Sequence, residues 1–493
     1  MTASHPPLKR NWILAALMLT MFLAAMDIAV ISTVIPEIVK DLGGFKKFSW
    51  VFSIYLLTQT ATIPLYGKLA DLYGRKLILL VGIGIFLAGS AASASAWDIN
   101  SLIVFRGLQG LGAGSIMATV NTIAGDIYSI KERAKIQGWL SSIWGISAIL
   151  GPVLGGGLAK YFNWRWIFLI NIPIGIIAAI LLILYLKEKI TKQKHHIDYA
   201  GAGLIFATLS IFIIFLLNGG QTWPWISGKS IGLFIGVIVL TLITVIVERK
   251  AKSPVMPGWV LTNRTFLGSN LAVVGLGIIM MGPETYLPTF MQASLGFGVI
   301  LSGLILAAMS IGWPTASALS GRLYLTIGFS NTELIGVSLV IIACVGFLFI
   351  PWPQPIYWLV IDQIFFGAGL GLLSTPTLVG IQSVVKWEQR GVVTGVNQFG
   401  RYLGQSLGAA IFGAIFNASY TNQLEQSSYD IPENTENLLD ILHSSKLSQS
   451  AKQFIKESLN TANHHIYYGM IGFGILTVLA VMLVPKKLNT TTE

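Results

Sequence analysis

The sequence predicts an all-α integral membrane protein with two six-helix bundles and two further helices inserted between them, fourteen transmembrane helices in all. The 493-residue chain is 54% hydrophobic and only 11% charged, far more apolar than a soluble protein. Its apolar residues form runs of about twenty, the length that crosses the hydrocarbon core of a bilayer. Charged or polar breaks separate these runs and group them in the order six, two, six.

Each apolar run predicts one helix, and the two most polar breaks between runs divide the chain into units. The helices are expected near residues 12–37, 48–68, 77–96, 101–124, 136–160, 165–186, 199–218, 230–248, 265–290, 299–321, 333–351, 356–380, 391–418 and 466–485. We expect an N-terminal bundle over 1–190, an inserted pair with flanking linkers over 191–260, and a C-terminal bundle over 261–493. The long polar segment 420–465 is an expected outer loop. Its parts Ile441 to Leu447 and Ala451 to Leu459 are predicted either as short amphipathic helices over the outer mouth or as a solvated spacer.

The basic residues indicate how the chain is oriented. Lys and Arg exceed Asp and Glu by 11, and the expected inner loops and tails hold more than twice as many of them as the outer loops. This bias predicts cytoplasmic termini and requires no nucleic-acid partner. We also expect a multi-pass protein of a prokaryotic plasma membrane. The single cysteine, Cys344, excludes an internal disulfide and a thiol metal cluster.

The two bundles carry a weak internal repeat. At offsets of 254 to 257 residues, patterned glycines and arginines recur in the same order, namely Gly67 with Gly321, Gly74 with Gly328, Gly110, Gly112 and Gly114 with Gly367, Gly369 and Gly371, and Arg133 and Gly138 with Arg390 and Gly395. Transporters are commonly built from such repeated halves. The same offset pairs Asp27 with Glu284 and Arg106 with Gln363.

A short charged segment between two apolar runs, Gly67 to Lys76, predicts a latch at the membrane surface. Asp71 and Arg75 are four residues apart, the spacing at which side chains meet on one helical face. Gly67 permits a close helix contact and Gly74 a tight turn. In the second copy of this segment, in the C-terminal bundle, Leu325 and Phe329 stand at the positions of Asp71 and Arg75. The alternative is a positively charged topology loop with an incidental Asp.

Three charged residues within or near predicted spans are candidate proton-coupling residues: Asp27, Arg106 and Glu284. A charged side chain in the bilayer costs roughly 3 kcal/mol on insertion scales, so each should face protein or water. Asp27 lies beyond the middle of the first predicted span and can serve as a proton carrier or as a packing acid bonded to a neighbouring hydroxyl. Glu284 lies nearer a span end, with the same alternatives. Arg106 can either modulate a nearby acid or bond to backbone carbonyls.

Two glycine-rich helices are predicted to make close helix contacts. In IVFRGLQGLGAG, Gly110 and Gly114 follow Arg106 at steps of four, so the arginine shares the closely packed face. In the fifth predicted helix, Pro152 removes a backbone hydrogen bond and predicts a kinked crossing. The glycines around it are Gly145, Gly151, Gly155 and Gly156.

These motifs resemble the major facilitator superfamily of secondary transporters, and in particular its fourteen-span drug:proton antiporter branch. The matching patterns are G-x-L-A-D-x-x-G-R-K, R-x-x-Q-G-x-G-A, G-P-x-x-G-G and the segment WRWIFLINIPIG. The resemblance implies a major facilitator fold, a latch that holds the two halves together at a closed cytoplasmic side, a role in proton transfer for the fourth helix, and an exporter that exchanges substrate for protons. In the first-helix motif Met26, Ala29, Ser32 and Ile35 depart from the pattern of that branch.

The expected function is a proton-coupled antiporter that exports amphipathic, chiefly cationic, drugs or toxic compounds by alternating access. The alternative is export of an endogenous metabolite, amino acid or lipid on the same fold. We expect no enzymatic activity, no cofactor and no metal, a proton gradient as the energy source, and a monomer in the bilayer. The expected cavity residues are Gln109, Asp362, Gln363, Gln398 and Arg401. An internal ion pair between Asp362 and Arg401 is the alternative for those two.

Overall fold

The computed structural model describes residues 7–43, 47–188, 198–219, 223–425, 427, 447–486 and 488. Its regular structure is helical. The helices are α1 (Pro7–Leu42), α2 (Phe48–Tyr73), α3 (Arg75–Ala94), α4 (Ile99–Ile127), α5 (Ile130–Tyr161), α6 (Trp166–Leu169), α7 (Asn171–Tyr185), α8 (Tyr199–Asn218), α9 (Gly228–Lys250), α10 (Gly258–Thr262), α11 (Arg264–Ala293), α12 (Val299–Ala307), α13 (Met309–Ile327), α14 (Phe329–Phe349), α15 (Ile356–Ser383), α16 (Arg390–Glu425) and α17 (Gln449–Met482).

Twelve helical segments in the described part of the chain are long and apolar enough to cross a membrane. The helices α2 and α16 are also long, at 26 and 36 residues, but they do not belong to these twelve. The two helices pack against each other, so part of their surface faces protein.

The helices form two halves with matching internal contacts. In the N-terminal half α1 packs on α5 and α7, while α4 packs on α2 and α3. In the C-terminal half α11 packs on α16 and α17, while α15 packs on α13 and α14. Each half has a hydrophobic core of its own, around Phe86 and Met117 in the first and around Phe347 and Phe366 in the second.

The repeated glycines explain why the two halves pack alike. Side chains would not fit at these glycines, because a Cβ at Gly110 would collide with the backbone of Tyr55 in α2, and a Cβ at Gly367 would collide with Met309 in α13. The intervening glycine of each triplet faces the other neighbour, with Gly112 against α3 and Gly369 against α14. The alternation therefore lets one helix approach two partners in each half.

The inserted helices α8 and α9 pack on each other, and α8 also contacts α2 and α16. The insertion thus lies against one side of the junction between the two halves. This placement was not specified by the hydropathy pattern.

Several element boundaries differ from the prediction. The helix expected at 299–321 is divided at Ala308 into α12 and α13. The segment Ala451 to Leu459 belongs to the first turns of α17, where Ile455 and Leu459 pack against Tyr420; residues 441–446 lie outside the described residues. The predicted helix 165–186 is divided at Ile170, because Pro173 lacks the N–H that would bond back to the preceding turn.

Candidate functional site: a central cavity and a buried polar cluster

A cavity of about 740 Å³ lies between the two halves. Its wall is formed by residues of α1, α4 and α5 from the N-terminal half and by residues of α11, α12, α13, α15 and α16 from the C-terminal half. Most of the lining is apolar, and Trp144 and Trp313 contribute an aromatic ring from each half. The charged side chains in the described lining are Glu284 and Arg401. The cavity can therefore accommodate a compound with a large apolar body and few polar groups.

Helix α16 brings Gln398 and Arg401 to the cavity wall. The guanidinium carbon of Arg401 lies 4.9 Å from the centre of the Trp313 ring, a distance suited to a cation–π contact. Glu284 reaches the same cavity from α11, where it follows Pro283. Both side chains line the cavity, and no ion pair of 4 Å or less joins Glu284 to Arg401 within the described residues.

Asp362 and Gln363 lie outside the cavity wall. Both are buried on α15, and the Gln363 side chain donates a hydrogen bond of 3.0 Å to the Asp362 carboxyl. The described residues contain no ion pair between Asp362 and Arg401. The structure thus separates these two residues from Gln398 and Arg401, with which the sequence analysis grouped them.

Asp27 and Arg106 form a buried ion pair in the N-terminal half. Arg106 is fully buried on α4, and its guanidinium also donates to the Gln109 side chain at 2.6 Å and to the Val51 carbonyl at 3.3 Å. The guanidinium carbon lies 4.2 Å from the centre of the Tyr55 ring. The sequence predicted an arginine near an acid or an arginine on backbone carbonyls, and the geometry contains both contacts.

A second set of donors completes the surroundings of Asp27. The Gln109 amide donates to Asp27 at 2.8 Å, and the Asn171 amide donates to it at 3.3 Å. Asn171 also donates to Ser90 at 3.0 Å. Asp27 is therefore held by groups from α4 and α7 rather than by a single hydroxyl. Neither Asp27 nor Arg106 lines the cavity, so this buried cluster is separated from it in this conformation. Gln109, which the sequence analysis expected at the cavity, belongs to this cluster instead and does not line the cavity.

Asp71 joins the two halves at one end of the bundle, which we call the latch end. It accepts hydrogen bonds of 2.8 Å from the backbone N–H groups of Gly391 and Val392, in the first turn of α16. The same carboxyl pairs with Arg75 at 2.7 Å. A carboxylate is favoured there because a helix N-terminus has unpaired N–H groups and a positive dipole end.

Arg75 extends the latch to α4 and to the segment before α16. It pairs with Asp126 at 3.0 Å, and Asp126 also pairs with Arg390 at 3.2 Å. The Arg75 guanidinium donates to the Trp387 carbonyl, and its central carbon lies 3.5 Å from the centre of the Trp387 indole ring. Asp126 and Trp387 were not singled out by the sequence, although the repeat did match Arg390 with Arg133.

The remaining residues of the charged segment fix its turn. Gly74 has φ +93°, a conformation that favours glycine. The backbone N–H groups of Arg75 and Lys76 donate to the Glu188 carboxylate at 2.9 Å each, and the Lys76 side chain donates to the Ile183 carbonyl at 2.8 Å. Gly67 lies against Gly391, with room for no side chain between them.

The second junction at the latch end is aromatic. Phe329, at the repeat position of Arg75, stacks on Tyr324 with ring centres 4.7 Å apart. The Tyr324 hydroxyl donates to the Ile130 carbonyl at the start of α5. Both rings belong to the C-terminal half, so this junction between the halves consists of the Tyr324 hydrogen bond and apolar contacts with α5, whereas the first junction is held by charges.

The glycines of α5 serve two different contacts. A Cβ at Gly145 would lie 2.5 Å from the Ser310 Cβ of the other half, whereas one at Gly151 would lie 2.5 Å from the Ala29 Cβ of α1. Gly155 faces α1 as well, a Cβ at Gly156 would meet no atom of the described residues within 4 Å, and Pro152 lines the cavity. The sequence motif therefore marks where α5 meets both α1 and α13.

The fold and these motifs agree with a known family. The profile of the Major Facilitator Superfamily matches residues 17–409, most of the chain. The chain belongs to the major facilitator superfamily. Among curated members of this superfamily, the multidrug transporter protein MdtP of Bacillus subtilis (strain 168) is 32% identical over 512 residues, covering 98% of this chain and 94% of that protein. Multidrug resistance protein 3 of the same organism is 33% identical over 420 residues, covering 85% and 81%.

A solved structure agrees with the superfamily fold. The human organic anion transporter MFSD10 (TETRAN) superposes with a TM-score of 0.65 at 14% identity, covering 97% of this chain and 100% of that one. At this identity the likeness concerns the fold alone. The present chain is accordingly a multi-pass, helical membrane protein of this superfamily.

Proposed function

We propose that the protein is a proton-coupled antiporter that exports amphipathic, chiefly cationic, compounds by alternating access between two rocking halves. In this proposal it spans the membrane fourteen times with both termini in the cytoplasm, acts as a monomer, and has its latch end at the cytoplasmic face. The observation that carries it is the central cavity, which is largely apolar and contains two charged side chains, Glu284 and Arg401. The names of the two Bacillus relatives, a multidrug transporter and a multidrug resistance protein, support drugs as the exported compounds.

The buried cluster around Asp27 supports proton coupling. A carboxylate with a paired guanidinium and two amide donors is stable as an anion, whereas a helix movement that separates Asp27 from Arg106 would favour a neutral acid. Proton uptake and release would then follow the rocking of the halves. Glu284 is the acid that faces the cavity in the present conformation.

The proton gradient supplies enough free energy for this task. One proton that enters through about 100 mV releases ~2.3 kcal/mol, and each pH unit adds ~1.36 kcal/mol. Together these terms support a gradient of about a few hundred-fold for a neutral compound exchanged one for one. For a monovalent cation exchanged one for one, only the pH difference contributes.

The proposal is tested by pH-driven uptake into inverted membrane vesicles. Wild-type protein, an Asp27→Asn variant and an Asp41→Asn variant would be compared across lipophilic cations, neutral drugs and metabolites. Asp41 is the matched control, because it is an exposed acid near the end of the same helix. We expect uptake of lipophilic cations by wild type and Asp41→Asn, and none by Asp27→Asn.

Proton release provides a second measurement. Adding a transported cation to purified wild-type protein in weakly buffered detergent should release protons, and Asp27→Asn should release none. Uptake that persists after the pH and voltage gradients are collapsed would contradict the proposal. Uptake restricted to metabolites would instead favour an exporter of endogenous compounds.

A further inference from the structure

Asp27 is sealed away from the cavity, yet the proposed function requires protons to reach it and leave it. A proton passes between two groups only when they lie within hydrogen-bond reach of each other or of a shared water. Apolar side chains supply no such step. Polar side chains that connect the buried cluster around Asp27 with the cavity are therefore the candidates for a route.

Helices α2 and α16 pack against each other and bring three such side chains together. Tyr55 and Gln59 lie one turn apart on α2, and Tyr402 lies on α16. Gln59 is fully buried, Tyr55 is 1% exposed and Tyr402 is 7% exposed. We call these three residues the polar chain.

The first end of the polar chain adjoins the buried cluster. The Tyr55 ring lies against Arg106, and its hydroxyl is within electrostatic range of Asp27. The same hydroxyl is within electrostatic range of Tyr402. Tyr55 therefore connects the ion pair of the N-terminal half with a residue of the C-terminal half.

The second end of the polar chain reaches the cavity. Tyr402 lines the cavity wall, and its hydroxyl is within electrostatic range of Glu284 and Arg401. The Gln59 side chain faces the Tyr402 hydroxyl closely enough to act on it. The polar chain thus extends from the acid of one half toward the acid of the other.

The two α2 residues of the polar chain have buried polar atoms without a protein partner. The Tyr55 hydroxyl and both the amide oxygen and the amide nitrogen of Gln59 make no hydrogen bond to a described residue. Leaving such a group unpaired costs about 1–3 kcal/mol, so buried groups of this kind are generally bonded to protein or to ordered water. Three polar atoms within one turn of α2 supply the partners that a buried water requires.

Other polar neighbours of Asp27 lead away from the cavity. Asn171 of α7 donates to Asp27 and to Ser90 of α3. Neither α3 nor α7 contributes a residue to the described cavity wall. Among these neighbours, the polar chain is the branch that ends at the cavity.

We propose that the polar chain holds water and conducts protons between Asp27 and the cavity. Each hydroxyl or water along it accepts one proton and gives up another, so a proton that leaves the Asp27 carboxyl is matched by one that enters the cavity at Tyr402. Gln59 takes up no proton, because its amide group fixes the water between the two tyrosines. Asp27 is left as a carboxylate paired with Arg106, and the reverse transfer restores the acid. This inference rests on the proposed function and adds the route.

The test separates the rate of proton release from its amount. Purified protein in weakly buffered detergent is mixed with tetraphenylphosphonium, and a pH-indicator dye follows proton release by stopped flow. Equilibrium dialysis measures the affinity for the same cation. A residue of the route affects the rate, whereas the number of protons released at equilibrium depends on the proton-binding acid and the bound cation.

We expect Gln59→Leu to slow proton release about tenfold, an added barrier of about 1.4 kcal/mol, with the amount released and the affinity unchanged. Tyr55→Phe, which removes one hydroxyl and keeps the ring, should also slow it. Tyr467→Phe is the matched control, because its hydroxyl is likewise buried and unpartnered among the described residues but lies on α17, outside the polar chain and the cavity wall. This control should release protons at the wild-type rate.

Release at the wild-type rate by both Gln59→Leu and Tyr55→Phe would overturn the route and leave the proposed function standing. A smaller amount of released protons or a weaker affinity, at an unchanged rate, would show that the polar chain is structural. If the wild-type protein released no protons, the proposed function itself would fall.

A further substitution distinguishes a proton route from packing. Leucine is close to glutamine in volume, whereas serine leaves space that water can fill. If Gln59 served packing alone, Gln59→Ser would be the more damaging change. The route predicts the opposite order, with Gln59→Ser releasing protons faster than Gln59→Leu. Slower release by Gln59→Ser than by Gln59→Leu would contradict the proposal.

Discussion

In the N-terminal half Asp27 is paired with Arg106 and sealed away from the cavity, whereas its repeat partner in the C-terminal half, Glu284, lines the cavity with no cation within 4 Å among the described residues. The repeat position of Arg106 is Gln363, which explains the missing cation. The comparison teaches that one duplicated scaffold can hold a compensated acid in one half and a cavity-facing acid in the other.

The latch end repeats this contrast. The junction at Asp71 and Arg75 consists of buried ion pairs, while the junction at Tyr324 consists of one hydrogen bond and apolar contacts with α5, made by a ring that stacks on Phe329 of its own half. Four predictions test whether the two halves and the two junctions differ in how much they depend on charged groups, beginning with the largest expected effect.

Replacing the buried cation should be the most destabilising change. Arg106→Leu leaves Asp27 buried without its partner, and we expect a loss of about 3–5 kcal/mol in the free energy of unfolding. Thermal unfolding in detergent measures it. The double variant with Asp27→Asn should recover much of the loss. Glu284→Gln should cost little, because Glu284 makes no ion pair with any residue that the structure describes. Equal losses in the single and double variants would show that Arg106 acts through packing alone.

Opening the ionic junction should come next. Asp71→Ala removes the pair with Arg75 and the two hydrogen bonds to the first turn of α16. Because Arg75 keeps its pair with Asp126, we expect a net loss of about 1.5–3 kcal/mol. We expect a larger separation of the halves at the latch end. Spin labels at Lys131→Cys and Glu388→Cys, in a Cys344→Ser background, would report it as a longer distance. An unchanged distance distribution would mean that the ionic junction does not hold this state closed.

A change at the second junction, where Tyr324 contacts α5, should separate the halves less than a change at the ionic junction does. Tyr324→Phe keeps the stacking on Phe329 and removes only the hydrogen bond to Ile130, a loss of about 0.5–1.5 kcal/mol. The same spin labels should show a smaller shift than in Asp71→Ala. Because rings carry no net charge, the shift should not depend on salt. A shift as large as that of Asp71→Ala would remove the distinction between the two junctions.

Breaking the exposed ion pair of Asp41 and Arg165 should have the smallest effect on stability, and it provides a reference for the buried pair of Asp27 and Arg106. Hydrogen bonds from Trp164 and Arg165 lower the pKa of Asp41 below its ordinary value of 3.8. A lowered pKa stabilises the fold above the ordinary value, and this contribution is lost as the pH falls through the folded pKa. Arg165→Gln should therefore cost less than about 1 kcal/mol at neutral pH, because solvent screens exposed pairs.

Measuring the unfolding of wild type and Arg165→Gln as a function of pH would check this. The difference between the two proteins should shrink in acid as Asp41 becomes protonated in both. A difference that grew in acid would contradict the assigned sign.

Several features could be predicted from the sequence because they depend on local spacing. The four-residue step from Asp71 to Arg75 predicted their ion pair, and the position of Pro152 among glycines predicted a close crossing of α5 with another helix, which the structure identifies as α1. The repeat predicted matching glycine contacts in the two halves. The paired offsets of Asp27 and Glu284 identified two candidate acids but not their different surroundings.

Other features were decided only by the tertiary structure. Asp126, Trp387 and Asn171 act on Arg75 and Asp27 from distant parts of the chain, so no spacing connects them. Asp362 carries the same charge as Glu284 in an equally apolar helix, yet only Glu284 reaches the cavity. In a membrane helix apolar residues face both lipid and protein, so hydropathy fixes where the helix lies but not how it is rotated. The sequence by itself therefore determined the helices and their duplication, while packing decided which charges meet.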